Sequence, residues 1–335
     1  MRAAWYEKHG LAAEVLRLGE MPDPEPGPGE VRVRIVCSGV NPTDVKARAG
    51  SRAMGFPRVI PHQDGAGMID GVGPGVPASR IGERVWVYIV QWQRPHGTAA
   101  EYACVPARRA VTLPAKATFA EGACLGIPGV TAHRCVFGDG PVDGQTVLVT
   151  GGAGAVGHYA VQLAKWGGAR VIATVSSPEK ATAATAAGAD HTVNYRAEDV
   201  AARILELTDG TGVDRVVDVD FGRNLATTLE IVKANGTIAA YASMGEPEPK
   251  LPFYPLMLKN VLMRPVLIYT MPESAKDAAT RNIVELVDRG RLIHQIGARF
   301  PLSAIVAAHE AQESGKVIGN IVIDVVPRAA DEVSR

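Results

Sequence analysis

Apolar and polar positions follow two different rhythms along this chain, and the change comes near residue 123. Before it, the chain reads as short strands punctuated by Pro and Gly. Val31–Val36 (VRVRIV) alternates apolar and polar residues, the period-2 pattern of a strand with one buried face. Ile81–Val90 and Ala99–Val105 read as further strands, and Pro22–Glu30 (PDPEPGPGE) as a stiff loop. Together they predict a β-rich, partly open barrel. Beyond residue 123, Thr146–Thr150 (TVLVT) is a short apolar run of buried-strand type. A Gly-rich turn and a helical pattern over Ala155–Lys165 follow it, then a strand over Arg170–Val175. Ser177-Pro178-Glu179 opens a helix with a capping hydroxyl, a Pro at the first position and an acid in the first turn.

Strand-like runs recur at Asp214–Val219, Thr237–Ala242 and Val266–Thr270, separated by helical stretches over Ala197–Thr208 and Leu225–Lys233. Strands alternating with helices predict βαβ units and a doubly wound parallel sheet. Helices over Ser274–Arg289 and Leu302–Ser314, with strand-like pieces at Gln295–Phe300 and Asn320–Val325, close the chain. This ending is expected to return to the first domain, and the last eight residues to fray. The prediction is an α/β protein of two domains, residues 1–122 with 271–335 and residues 123–270.

Thr150 to Gly157 (TGGAGAVG) follows a predicted strand, opens a helix and contains G-x-G-x-x-G at Gly152, Gly154 and Gly157. In such a loop the first Gly makes the tight turn and the second lets a pyrophosphate touch backbone. The third allows close helix–sheet packing, and the helix N-terminus supplies N–H groups and partial positive charge for the phosphates. With a βαβ context on both sides, the loop predicts dinucleotide binding through Gly152, Ala153, Gly154, Ala155, Val156 and Gly157. An NAD enzyme carries an acid about 20 residues on, to hold the ribose 2′-hydroxyl. Here the second strand ends Val175-Ser176-Ser177 without one, and Lys180 and Tyr195 follow. Hydroxyls and a cation favour a 2′-phosphate, so NADPH is the expected cofactor. The competing reading is a capped helix with a solvated Lys and a surface Tyr.

Composition narrows the partners. A chain of 335 residues exceeds one ordinary core, and 35 basic against 35 acidic residues select neither nucleic acid, membrane surface nor polyanion. Cys37, Cys104, Cys124 and Cys135 lie far apart with no C-x-x-C pair, which argues against a disulfide framework or a structural zinc lobe. The N-terminus lacks the apolar core of a signal peptide, and the longest apolar runs fall short of a membrane span. The expected address is cytoplasmic.

Five stretches now stand together: SGVNPTDVKARAG (38–50), PHQDGAG (61–67), GTAAEYACVP (97–106), CLGIPGVTAH (124–133) and GGAGAVG (151–157). In that order they resemble zinc-independent quinone oxidoreductases, the ζ-crystallin-like branch of the medium-chain dehydrogenase/reductase superfamily. The resemblance covers nearly the whole chain. It implies a GroES-like catalytic domain, an inserted Rossmann domain, and a homodimer paired through the last Rossmann strand. Zinc alcohol dehydrogenases of the superfamily have a Cys in the first motif and a His in a G-H-E motif. The matching positions hold Asn41 and Gln63, with Asp64 in place of the Glu, and neither amide is a good zinc ligand. No metal is therefore expected. His62, one position out of register, reads as structural.

The resemblance also implies that Lys180 and Tyr195 hold the 2′-phosphate, that Asn41 and Thr131 line the nicotinamide end, and that Tyr241 lies over the cofactor. Ser176 and Asn320 complete the expected cofactor set. Many relatives carry N-P-x-[DE]-x-Tyr with the Tyr facing substrate, and here Lys46 takes that place. Without a Lewis acid, the natural substrate is one that already accepts hydride. Asn41, Lys46 and Asp64 are the expected catalytic residues, with Asn41, Lys46 or bound water as the donor for the developing anion. Their competing readings are structural: Asn41 satisfying a loop, Lys46 solvated, Asp64 buttressing a Gly65–Gly67 turn. An NADPH:quinone reductase, an NADPH-dependent enone or enoyl-thioester reductase, and a non-enzymatic nucleotide- or RNA-binding protein all remain open, although the neutral charge argues against RNA.

Overall fold

A computed structural model describes residues 1–326, so the expected fraying of the last eight lies outside the described residues. The chain divides into two compact units, Met1–Ile127 joined by the residues from Thr280 on, and Pro128–Ala279.

The first unit begins with β1 (Arg2–Trp5), α1 (Ala12–Val15), β2 (Arg17–Glu20) and β3 (Glu30–Val40). Then come α2 (Pro42–Ala49), β4 (Asp64–Val72), β5 (Arg84–Val87), β6 (Tyr102–Pro106), β7 (Ala110–Thr112) and α3 (Phe119–Gly122). The second unit holds α4 (Val130–Phe137), β8 (Thr146–Val149), α5 (Ala155–Trp166), β9 (Arg170–Val175), α6 (Pro178–Ala186) and β10 (His191–Asn194). It continues with α7 (Val200–Leu207), β11 (Val213–Asp218), α8 (Phe221–Ile231), β12 (Val232–Ala240), α9 (Phe253–Leu258) and β13 (Leu262–Pro265). α10 (Glu273–Asp288) carries the chain back, and β14 (Ile296–Pro301), α11 (Ile305–Ser314) and β15 (Asn320–Asp324) rejoin the first unit.

In the first unit a seven-stranded sheet runs β14-β15-β3-β4-β5-β7, with β6 also paired to β3, and β1-β2 form a separate pair. β15 lies antiparallel to β3 with Ile321 opposite Val40, so the end of the chain completes the first domain as expected. Alternation along β3 places Val31, Val33 and Ile35 in an apolar cluster with Ile69, Val85, Val87 and Val105. The strands read over Ile81–Val90 and Ala99–Val105 prove shorter, because turns claim their flanks. Gly65–Gly67 is not a turn but part of β4.

The second unit is a parallel sheet in the order β10-β9-β8-β11-β12-β13. Its core joins Leu148, Ile172, Val193 and Val216 to Ile204 and Ile231 from the covering helices. β8, β9 and α5 begin where the pattern placed them. The final strand does not. It is Leu262–Pro265, pairing in parallel with Thr237–Ala240, while Ile268–Thr270 of the run predicted as strand turns into 3₁₀ helix. The helical reading over Leu225–Lys233 likewise overran, because Val232 already begins β12.

Candidate functional site

The strand order of the second unit reverses between β8 and β11, and such a switch point opens a crevice at the carboxyl ends of parallel strands. The glycine loop lies there, between β8 and the N-terminus of the 12-residue α5. The division of labour among its glycines differs from the expected one. Gly151, not Gly152, makes the left-handed turn, at φ 67. Gly152 instead fits against β9, where an added Cβ would fall 2.6 Å from the Cβ of Ala173. At Gly157 a Cβ would fall 2.2 Å from the carbonyl oxygen of Gly151, so only glycine lets α5 start this close to the loop. Gly154 caps α5 in extended conformation, leaving Ala155, Val156 and Gly157 as the first helical residues. Their N–H groups lack intrahelical carbonyl partners and could hold a phosphate.

Ser176, Lys180 and Tyr195 gather at the same edge. The Tyr195 N–H donates to the Val175 carbonyl at 3.1 Å, which brings the end of β10 beside the end of β9. Tyr195 is 48% exposed. The Ser177 hydroxyl accepts from the Lys180 N–H at 3.4 Å, capping α6 as the sequence implied and placing the Lys180 side chain one turn in. These residues and the cradle suit a dinucleotide with an additional phosphate on its adenosine ribose.

Across the switch point stands Asp218, which the sequence reading missed. It ends β11 fully buried, and its Oδ1 accepts from the Thr150 hydroxyl (2.9 Å), the Asp220 N–H (3.0 Å) and the Asn224 amide (2.7 Å). Burial pushes its carboxyl above the usual range. It ties the two strand ends that frame the crevice, and an acid inside the apolar run RVVDVD was its signal. Thr131 on α4 and Tyr241, just past β12, belong to this unit too. The Tyr241 N–H donates to the Asp218 carbonyl at 3.1 Å, and burial holds its phenol well above the ordinary value.

In the first unit, Asn41 and Asp64 meet. Asn41 is the N-cap of α2, with Pro42 at the first helical position. Its backbone N–H donates to Asp44 Oδ2 at 2.8 Å, which is the reciprocal half of a capping box. The N-P-T-D spacing carried that signal, although Asp44 itself went unnoticed. The Asn41 amide donates to Asp64 Oδ2 at 2.8 Å, and the Ile127 N–H donates to the same oxygen at 2.7 Å. Ile127 lies in a π-helical turn, Leu125–Gly129, that contains Pro128. At Gly126 a Cβ would fall 2.1 Å from Asp64 Oδ1, so this turn closes over the carboxyl only because the residue is glycine.

Both acids are enclosed. Desolvation pushes the Asp44 carboxyl up to about 7 and Asp64 well above the ordinary value, with the Asp44 charge adding to the latter. Because Asp64 Oδ2 already accepts two N–H donors, the proton of a neutral Asp64 sits on Oδ1. Gln63 pairs head to tail with Gln91: its Nε2 donates to Gln91 Oε1, and its Oε1 accepts the Gln91 N–H, both at 3.1 Å. Lys46 is half-buried on α2. Helical spacing puts it on the side of α2 away from Asp44. Asn320 opens β15 in this unit, and its amide donates to the Gln295 carbonyl at 3.1 Å.

Asn41 and Gln63, at the zinc positions of the alcohol dehydrogenases, thus spend their amides on Asp64 and Gln91. A tetrahedral zinc site of thiolate, imidazole and carboxylate does not fit this donor set. Among the described residues, no cluster of three His, Cys, Asp or Glu is placed to hold a metal ion. His62 turns elsewhere, to Ser38 and His309.

Comparison with known proteins accords with this geometry. Residues 27–115 match the alcohol dehydrogenase GroES-like domain family, and residues 155–285 match the zinc-binding dehydrogenase family. A 2-haloacrylate reductase from a Burkholderia species is 32% identical over 308 residues, 89% of this chain and 91% of that protein. A quinone oxidoreductase from Pseudomonas aeruginosa is 32% identical over 315 residues, 92% and 95% of the respective chains. Among solved structures, an NAD-dependent alcohol dehydrogenase superposes with a TM-score of 0.89 at 32% identity, covering 97% of this chain and 100% of that one. A mycobacterial protein in complex with NADPH superposes at 0.85 with 31% identity, covering 96% and 99%.

Proposed function

Since the chain belongs to the quinone oxidoreductase branch of the medium-chain dehydrogenase/reductase superfamily, we propose that it is a zinc-independent, NADPH-dependent reductase of electrophilic acceptors, either quinones or activated alkenes. One observation carries this reading: a glycine cradle at the switch point, with Ser176, Lys180 and Tyr195 at the edge where a 2′-phosphate would lie. The NADPH-bound neighbour supports the choice of cofactor. Bound NADPH supplies a hydride.

The protein's own residues have simpler tasks. The Gly152–Gly157 loop and the α5 N-terminus hold the pyrophosphate, and Lys180 with Tyr195 hold the 2′-phosphate. Thr131, Tyr241 and Asn320 belong to the same cofactor set. Asn41 and Lys46 are the donors for the anion that hydride transfer creates. Asp64 is fully enclosed, so it acts by fixing the Asn41 amide rather than by touching substrate. The locked amides of Asn41 and Gln63 support chemistry without zinc, which favours acceptors that need no Lewis acid.

The activated-alkene reading has its own support in the 2-haloacrylate reductase, which is as similar as the quinone oxidoreductase. No helix among the described residues is long and apolar enough to cross a membrane. All four cysteines are buried as free thiols, which suits a reducing cytoplasm. Steady-state NADPH oxidation, after exhaustive chelation, against quinones, neutral enones and enoyl thioesters tests the proposal. Turnover with at least one class is expected. Loss of activity on chelation, restored by zinc, would overturn the metal-free reading.

A further inference from the structure

Arg52 follows α2 closely, and its guanidinium is fixed on two sides. It stacks 5.1 Å from the centre of the Trp92 ring, and its Nη2 donates to Gln91 Oε1 at 2.6 Å. That same oxygen accepts from Gln63, the residue at the former metal-ligand position. A delocalised cation therefore stands two hydrogen bonds from the position where metal-using relatives polarise their substrate.

The support for this cation is built with strain. Gln91 lies between Ile89 and Gln93, both left-handed at φ 58 and 56, and a β-branched residue there is a marked outlier. Backbone held in such conformations clusters at ligand clamps, where the surroundings over-determine it. Gln91 itself is buried, and its Nε2 is engaged with the Arg94 carbonyl at 2.9 Å. Asp44 is an acid within electrostatic reach of Arg52, and burial pushes its carboxyl up to about 7. Lys46, half-buried on α2, stands where relatives have a neutral tyrosine.

We propose that Arg52 recognises the carboxylate of the acceptor, and that this enzyme reduces α,β-unsaturated carboxylates rather than neutral quinones. The inference rests on the NADPH-reductase reading and names its substrate class. A planar guanidinium takes a carboxylate in bidentate fashion, and stacking on Trp92 preorganises the plane. The chemistry needs a cation there. The acceptor's β-carbon gains the hydride, and its π pair moves to the α-carbon and the carboxylate. The α-carbon then takes a proton, leaving a saturated acid and NADP⁺. An ionised carboxylate opposes that arrival of charge, and a fixed cation removes the opposition. The phosphates of an enoyl-CoA lie too far from its double bond to meet a cation so near Gln63.

The test compares kcat/KM for 2-chloroacrylate, its methyl ester, 1,4-benzoquinone and crotonyl-CoA, in the wild type and in Arg52→Met and Arg52→Lys. The wild type is expected to favour the free acid over the ester by tenfold or more. Arg52→Met should lower that ratio at least tenfold, chiefly through KM for the acid, and Arg52→Lys should restore part of it. Preference for the ester, the quinone or the CoA thioester would overturn the proposal, as would an equal loss on acid and ester. A second measurement needs no variant: propionate should inhibit competitively against the acceptor far better than propionamide, and equal inhibition would count against an anion site. NADPH oxidation with none of the four acceptors would instead remove the reductase reading itself.

Discussion

His309 Nε2 lies 2.9 Å from His62 Nε2, with both rings fully buried, and the hydroxyls beyond decide which ring carries the shared proton. The Thr98 hydroxyl donates to the Asp64 carbonyl at 2.5 Å, since a carbonyl can only accept. Ser38 must then donate to Thr98 at 2.7 Å, and His62 Nδ1 to Ser38 at 2.8 Å. That leaves His62 Nε2 bare, so His309 Nε2 carries the proton between the rings. Both imidazoles are neutral, and every proton of the chain is assigned.

Stability should therefore fall as the medium acidifies. Desolvation lowers His62 to about 3 and His309 well below its ordinary 6.5. Below pH 6.5 the unfolded chain takes up protons that the fold refuses, so their stabilising effect is present above that value and is lost on acidification, by up to ~1.4 kcal/mol per pH unit for each ring. Urea midpoints measured from neutral pH to about pH 4.5 should show this slope, and His62→Asn with His309→Phe should flatten it. Asn is chosen because position 62 is left-handed, at φ 80. Parallel slopes would mean that the pair is not neutral in the fold.

Asp44 works in the opposite sense. Its folded value near 7 lies above the ordinary 3.8, so its contribution is complete at low pH and is lost as pH rises through 7. Asp44→Asn keeps an oxygen for the Asn41 N–H and removes the ionisation. Thermal melts at pH 8 should show the variant more stable than the wild type by about 1–4 kcal/mol, with the advantage shrinking toward pH 4. An advantage independent of pH would mean that the fold does not raise the Asp44 carboxyl.

Lys180→Ala tests the cofactor edge. A charge-assisted contact to phosphate is worth about 1.5–3 kcal/mol, so KM for NADPH should rise roughly 10- to 150-fold while KM for NADH barely moves. Equal effects on the two cofactors would assign Lys180 to solvent.

Homodimerisation through the edge strand is the remaining expectation. β13 ends the parallel sheet, and Phe253, Tyr254, Met257 and Leu258 of α9 are exposed, as are Leu262 and Met263 of β13. An uncovered apolar edge of this kind invites pairing, and a two-fold mate would close it. Light scattering should give about twice the 35.3 kDa chain mass, and Leu258→Glu with Met263→Lys should give the monomer. A wild-type monomer at micromolar concentration would sink the pairing.

Much of the fold was legible because it is encoded within a few residues. The alternation in β3, the start of α5 after Gly154, and the Ser177 cap with Pro178 behind it all depend on neighbours three or four positions away. So does the Asn41–Asp44 capping box, whose spacing was in the sequence although its meaning for the site was not.

Period, caps and the glycine loop were therefore readable from the chain alone, because turn chemistry and side-chain spacing act locally. Tertiary structure decided the rest. Leu262–Pro265, not the more apolar Val266–Thr270, became the last strand, because β12 offers its free edge opposite Thr237–Ala240 and strand identity is settled by the partner. Asn41 meets Asp64 across 23 positions and His62 meets His309 across 247. No local pattern announces such pairs. Each arises because burial strips polar groups of water, and only the closed fold shows which distant partner replaces it.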